Sequence, residues 1–394
     1  MLQARSLIVV VIIGVAVLSR GVLFGEQSQR APAPPRATDS GLALSNLNSQ
    51  IASLQKLVVQ FSEHFKFRSQ LFDLVAVRVQ FLGRFDDLAL LRSLVSDRSE
   101  KIEELLLRAR YLSTIHDFSG ARALLDRART LQPTNLEIPR QVNTIRIALR
   151  EGLPQLREEM VAVAKQNPTY SNFVQLAAVE GELGSFESAD KNFQNALDAY
   201  RDTLPFPMAF IYFQRGVMWA EKAGDAKRAK AFYQQAVRYL PEYVVAQVHL
   251  AEILKDDGEI EAAESGLQKV LETPDPEPKG LLAEIYMAIG KDEKPLVHAA
   301  TAAYNALLAE YPLAFADHGA EFFAGPGADP ARGLALAKAN LGNRRTERAY
   351  IVAIEAAQAA GASEDACSLA DAAKKLDPVF IPLQELIANL KCSA

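Results

Sequence analysis

Histidine, cysteine and tryptophan are scarce in this chain, and each scarcity removes a kind of chemistry. The five histidines (His64, His116, His249, His298 and His318) are scattered, and no two stand four apart on one helical face. There is no His-Glu-x-x-His and no Cys/His cluster, so no catalytic or other metal site is expected. Asp317-His318 with Glu321 is the nearest approach to a ligand set, and on a helix it reads as a solvated face. Gly325-Pro326-Gly327 lacks the Gly-Lys-Ser/Thr of a phosphate loop and reads as a turn. No serine stands in a nucleophile-elbow context. The acidic stretches 256–261 and 272–277 lack calcium-loop spacing and read as exposed turns. The expectation is a protein that is not an enzyme and carries no cofactor. A formal net charge of -5, with no Lys/Arg-rich run, gives no footprint for nucleic acid.

Long hydrophobic runs are missing as well, with one exception near the start. Residues 7–18 (LIVVVIIGVAVL) follow Arg5 and precede Ser19-Arg20. That is short for a spanning helix, which needs about 20 apolar residues, and fits a signal-peptide core. Two readings stay open for residues 1–25: a cleaved leader, or an uncleaved anchor extended by 21–24 with Arg20 snorkelling to the interface. No lipobox-like cysteine follows. Residues 26–40, ending QSQRAPAPPRATDS, are polar and rich in proline, a linker before the folded body. The body is therefore expected in the cell envelope, on the periplasmic face, anchored in the inner membrane or released after cleavage. An anchored adaptor facing the cytoplasm is the alternative.

What the chain has in quantity is alanine and leucine at repeated spacing, with few alternating β-branched runs, which favours helix throughout. Ala121, Leu125, Ala128 and Pro133 form one copy of a pattern. Ala189, Phe193 and Ala196 form another; Ala229, Tyr233, Ala236 and Pro241 a third; Ala366, Ala370, Ala373 and Pro378 a fourth. Ala263, Leu267 and Val270 make a weaker copy. The period is about 34 residues, that of a stacked helix–turn–helix unit. Small residues let two helices cross closely, a glycine between them ends the first helix, and a proline ends the second. The units fall at 69–101, 102–135, 138–169, 170–203, 210–243 and 244–277. In the third, Arg157 occupies the small-residue slot, and residues 204–209 (LPFPMA) form an insertion. Residues 279–346 are irregular, with two longer helical pairs, and 347–380 is regular again. Residues 381–394 form a C-terminal capping helix. Ahead of the array, Leu44, Leu47, Ile51, Leu54, Val58, Phe61 and Phe65 mark a heptad seam within residues 41–68. This helix either caps the first repeat or joins two copies as a coiled coil, leaving homo-oligomers open.

The spacing of Ala121/Ala128, Ala189/Ala196, Ala229/Ala236 and Ala366/Ala373 resembles that of tetratricopeptide-repeat proteins, from Ser69 to Phe380, although no repeat has the favoured tryptophan at its fourth position. The resemblance implies an all-α, right-handed superhelical solenoid with helical end caps, whose concave wall binds protein or peptide partners. Carried over position by position, the family's inward slots place a groove at Val174, Ala178, Gln214 and Met218, bordered by Arg110, Arg215 and Glu252. The alternative is that these residues pack on neighbouring helices or on the chain's own tail. The Lys and Asn of the family's clamp for an acidic C-terminal carboxylate appear at none of the slots. Finally, Cys367 near the start of one helix and Cys392 at the end of the next should be brought together by the Pro378 turn, and in an oxidising compartment they can pair. The function expected is that of a partner-recruiting, membrane-tethered scaffold, with structural self-assembly as its rival.

Overall fold

Residues 37–392 are described in the computed structural model; the apolar run and most of the linker lie outside them. Helix α1 (Ser40–Gln60) leads into nine helix pairs. They are α2 (Phe65–Leu82) with α3 (Leu88–Ser93), α4 (Ile102–Thr114) with α5 (Phe118–Leu131), and α6 (Glu137–Ala148) with α7 (Leu153–Gln166). Then come α8 (Tyr170–Glu182) with α9 (Phe186–Ala199), α10 (Pro205–Val217) with α11 (Ala226–Tyr239), and α12 (Val244–Asp256) with α13 (Ile260–Gln268). The last three are α14 (Glu277–Ile289) with α15 (Lys294–Glu310), α16 (Pro312–Ala324) with α17 (Pro330–Asn343), and α18 (Glu347–Ala359) with α19 (Ser363–Lys374). Helix α20 (Ile381–Asn389) closes the array. Among the described residues there is no strand, and no helix is long and apolar enough to cross a membrane.

The small-residue slots do what close crossing requires. Ala121, Ala128, Ala189, Ala196, Ala229, Ala236 and Ala373 have no exposed surface, and the ring of Tyr233 lies where a side chain on Gly216 would stand. Arg157, in the corresponding slot of α7, turns instead to Glu180 of α8, 3.2 Å away. Accordingly α7 packs on α8 more than on its own partner α6. Two expectations are corrected. The heptad seam is not one helix: α1 ends at Gln60 and Phe65 starts α2, which folds back on α1, so that Ala43, Leu47 and Ile51 are buried within the chain. The segment 204–209 is not a detached insertion, because α10 starts at Pro205, where proline's missing N–H costs nothing.

Every turn within a pair carries a residue of left-handed backbone. Glycine supplies it at Gly83, Gly184, Gly224, Gly258, Gly290 and Gly361, but His116 (φ 59°), Arg150 (φ 57°) and Ala328 (φ 52°) take the same slot in three repeats. A side chain there costs about 1–2 kcal/mol. For two of them the side chain or backbone is used across the molecule. Arg150 Nη1 lies 2.5 Å from Glu347 Oε1, and its guanidinium stands 5.0 Å over the Phe380 ring. The carbonyl of His116 accepts a 3.1 Å hydrogen bond from Asn343 Nδ2, 227 residues further along.

These contacts reveal the main departure from an open solenoid. The last repeat crosses the concave side and meets the third, fourth and fifth. A Cβ on Gly184 would be 3.1 Å from Val379, and Lys222 sits 5.4 Å from the Phe380 ring. The first repeat packs inward too. Phe81 meets Phe206 and Tyr243 at a tilt, with ring centroids 5.4 and 4.7 Å apart, and Phe85 meets Phe315 edge-on at 4.9 Å. Burial follows. Residues 244–251 of α12 and 347–354 of α18 are buried on all sides, whereas α11 and α19 bury single stripes, Ala229/Tyr233/Ala236 and Ala366/Ala370/Ala373. The inner helices form the core and the outer helices form the skin.

Two substitutions separate strain from function at the turn slots. Ala328→Gly should raise stability by up to about 1 kcal/mol. Arg150→Gly removes the same strain yet should lower stability by roughly 1–3 kcal/mol, because Glu347 loses its cation. Denaturant midpoints of the two variants test this; equal gains would mean that Arg150 contributes nothing to closure.

Candidate functional site

The interior of the superhelix is charged. α16 is almost wholly apolar, which is why its three charges, Asp317, His318 and Glu321, could not face solvent without exposing Phe322 and Phe323. Asp317 has no exposed surface. The reading of this trio as a solvated face is therefore corrected. Arg344 pairs with Asp317 and sends Nε to Asn340 Oδ1 at 3.1 Å. His318 Nδ1 stands 2.9 Å from Glu277 Oε1 and Nε2 3.6 Å from Asp317 Oδ1. Arg348 Nη2 reaches Glu321 Oε1 at 2.5 Å. Beyond these lie His249, 3.7 Å from Glu221 and 3.6 Å from Glu252, and Lys255 Nζ, 2.7 Å from Glu284. At the other end Glu347 accepts from the backbone N–H groups of Val379 (3.2 Å) and Phe380 (2.7 Å). Lys222 Nζ lies 2.5 Å from Glu182. Asp275, expected in an exposed turn, is fully buried against Gly83 and caps α14 through the Glu277 N–H.

Burial and neighbouring charge decide each protonation state. Burial pushes His318 down, but Asp317, Glu277 and Glu321 outweigh it and hold the imidazolium up to about 10. Burial alone would raise Asp317; His318, Arg344 and His116 reverse that and hold it well below the usual carboxylate range. Glu221 has no such advantage. Burial raises it to about 8 against the pull of Arg348 and Lys222, so it carries a proton at neutral pH. Burial likewise raises Glu252 and keeps His249 and His116 neutral.

The seven groove residues expected from the sequence do not form one exposed surface. Ala178, Gln214 and Met218 line a cavity of about 60 Å³ whose far wall is Arg344, Thr346, Arg348 and Phe380. Val174 is core. Arg215 turns away to α9, holding Asp190 in two hydrogen bonds of 2.9 and 2.8 Å and covering Phe232. Glu252 joins a separate small cavity with Glu277, His318 and Glu321. Arg110 lies elsewhere, 2.6 Å from Asp73 and over the Phe72 ring. The physical reason is that the concave wall is occupied by the last repeat and α20. Asp317, His318, Arg344 and Arg348 were missed as interior residues, although charges on a helix otherwise apolar all round are a readable sign of burial. Among the described residues no group of three or more His, Cys, Asp or Glu is arranged to hold a metal ion.

An open groove exists at the N-terminal end. It encloses about 670 Å³ between α1, α2 and the start of α10, with Leu47, Leu54, Leu57, Leu74, Val77 and Phe206 as its floor. Asn46, Ser49, Gln50, Ser53, Gln70 and Gln80 form a neutral polar stretch of the rim, Asp202 adds one carboxylate, and the Arg110–Asp73 pair closes one side. Thr38 pins the entering chain to its lip by a 2.7 Å hydrogen bond from its N–H to the Thr203 carbonyl. At the opposite end, Cys367 on α19 and Cys392, beyond the end of α20, are joined by a disulfide with Cα atoms 5.7 Å apart.

Residues 220–285 match a family model described as tetratricopeptide repeat. Among solved structures, the chain is similar to one in the Cut9–Hcn1 hetero-tetramer of the APC/C, at 13% identity over 89% of this chain and 74% of that one, with a TM-score of 0.44. It is also similar to a tetratricopeptide repeat protein from Parabacteroides merdae, at 15% identity over 74% of this chain and 98% of that one, with a TM-score of 0.34. No curated protein matches the sequence.

Two outcomes follow from this geometry. Because its folded-state pKa is raised, Glu221 contributes stability that is complete below pH 4.5 and lost as pH rises through about 8. Glu221→Gln, which keeps the protonated shape, should therefore melt with the wild type near pH 4.5 and increasingly above it up to pH 8. A gap that stays constant over that range would reject the assignment. Reduction of Cys367–Cys392, which closes a loop of 25 residues, should cost about 3 kcal/mol in a denaturant titration.

Proposed function

We propose that this chain, in which residues 220–285 match the tetratricopeptide-repeat model, serves as a non-enzymatic scaffold, exported and membrane-tethered, whose partner docks in the N-terminal groove. The observation that carries this reading is the contrast between the two faces of the array. The concave wall, where such repeats hold their ligands by the family resemblance, is filled by the chain's own last repeat. The groove between α1, α2 and α10 is a large apolar surface left open among the described residues.

Its shape suits one kind of occupant. The lining on α1 runs from Ala43 to Leu57, which at 1.5 Å per residue is about 21 Å, the length of a helix of four turns. The floor is leucine, valine and phenylalanine, and the rim is mostly neutral amide and hydroxyl, its charges confined to Asp202 and the Arg110–Asp73 pair. An amphipathic partner helix with an apolar face and an uncharged border is complementary to both. The leader at residues 1–25 supports tethering, and a pair of cysteines able to bond supports an oxidising compartment. On α1 the seam is interrupted after Gln60, and Ala43, Leu47 and Ile51 are buried within the chain, which argues against a free coiled coil as the means of self-assembly.

A photo-crosslinking residue at Leu57 of the full chain, in intact cells, tests the site. One dominant heterologous protein should be captured there, none at buried Met218, and Leu74→Glu should reduce capture at least tenfold without changing the helical circular dichroism. Crosslinks only between copies of the chain would favour self-assembly instead. Absence of any crosslink at Leu57 would sink the docking site. Digestion of the body by protease added outside the cytoplasmic membrane is the expected result for export.

A further inference from the structure

The cavity at the centre of the superhelix has more hydrogen-bond donors than acceptors. Arg348 is 3% exposed and spends Nη2 on Glu321, while its Nε and Nη1 are enclosed without a partner. Gln214, on the opposite wall, is 8% exposed, and its Nε2 is enclosed and equally unpartnered. Lys222 and Arg344 stand in the same wall, each paired to one acid, Glu182 and Asp317. Glu182 is the single acidic residue of the lining. Glu221 is buried nearby with both carboxylate oxygens also unpartnered, but it does not line the cavity, and burial raises its carboxyl to about 8 against the pull of Arg348. Buried donors left unmade cost about 1–3 kcal/mol each, more for a charged group, and native interiors rarely leave three together. The apolar share of the wall (Ala177, Phe193, Phe380) gives a bound group no competing donors or acceptors of its own.

We propose that this cavity is a binding site for a small oxyanion of phosphate or carboxylate type, held by an unpartnered N–H of Arg348 and the amide of Gln214 and balanced by Lys222 and Arg344. A volume of about 60 Å³ takes one such group or a few waters. Nη2, common to both paired-donor edges of the guanidinium, is taken by Glu321, so Arg348 offers the anion a single charge-assisted N–H and Gln214 Nε2 supplies the second donor from the opposite wall. Gln214 belongs to α10 and Arg348 to α18, so the anion bridges the fifth repeat to the last one and ties the closure of the array to its own occupancy. A peptide tail is not needed: the site is enclosed by the chain's own C-terminal repeat.

Thermal unfolding of the full chain in inorganic phosphate, against sodium chloride of equal ionic strength, reads the site. Phosphate should raise the midpoint by roughly 2–4 °C in a saturable way. Acetate and succinate form a second arm, and a response to these alone would assign the site to a carboxylate. Arg348→Gln should abolish the response. Since that variant also strands Glu321, Gln214→Leu is the decisive companion. It deletes an unpaired donor without altering charge, so it should melt at or above the wild type in chloride and lose most of the phosphate response. Equal midpoints in phosphate, carboxylates and chloride would overturn the proposal. So would a response that survives in Gln214→Leu, or a Gln214→Leu variant destabilised in chloride, since the amide would then have a partner within the protein.

Discussion

A charge taken out of water has to be met by another, and the closed shape of this array follows from that requirement. The inner helices carry Glu221, Glu252, Asp317, His318, Glu321 and Arg348 on surfaces that are otherwise alanine, leucine and phenylalanine. In an open solenoid these groups would be wetted from the concave side. Here they are matched within the protein: Arg344 and Arg348 with the adjacent α16, and, across the axis, Arg150 from the third repeat with Glu347 from the last. The pairing falls short of completion at Glu221 and Glu252, and burial keeps these acids protonated instead. Such an interior is costly compared with a hydrocarbon core of equal volume, and its return is specificity of arrangement rather than stability.

The helix pairs were legible in the sequence because close approach leaves a trace in single residues. Alanine at both crossing slots, glycine at the turn and proline after the second helix are local demands, met within one repeat. Closure was not legible, for the opposite reason. It depends on partners more than a hundred residues apart, and each partner taken alone has an ordinary local explanation. Asp317-His318 with Glu321 reads as a polar face until the apolar remainder of α16 is given weight. The seven groove positions were placed by analogy with arrays whose concave wall is free, and three of them do meet around one cavity, but from inside. Val174 and Arg215 went astray because one helix turn decides whether an inner-helix residue faces the axis or its own partner helix.

The turn slots show how the two levels interact. Six of nine use glycine in that slot, and the α6–α7 turn keeps a glycine at positive φ as well, Gly152, two residues after Arg150. At His116 and Arg150 the local preference yields to a contact with the far end of the chain, and the strain is held by the surrounding packing. Departures from the repeat pattern of this kind mark the positions where the array is more than a sum of repeats.

That point bears on how the molecule comes apart. A linear solenoid, whose repeats touch only their neighbours, can fray from either end and fold from any nucleus. The hydrogen bond from Asn343 to His116 spans 227 residues, and the contacts of Phe380 with Arg150 and Lys222 span 230 and 158. Such links raise the contact order and couple the termini, so the cost of loop closure is met only when both halves are in place. The array is thus a cooperative ring in the energetic sense, and cutting it short removes the walls of its interior along with the length.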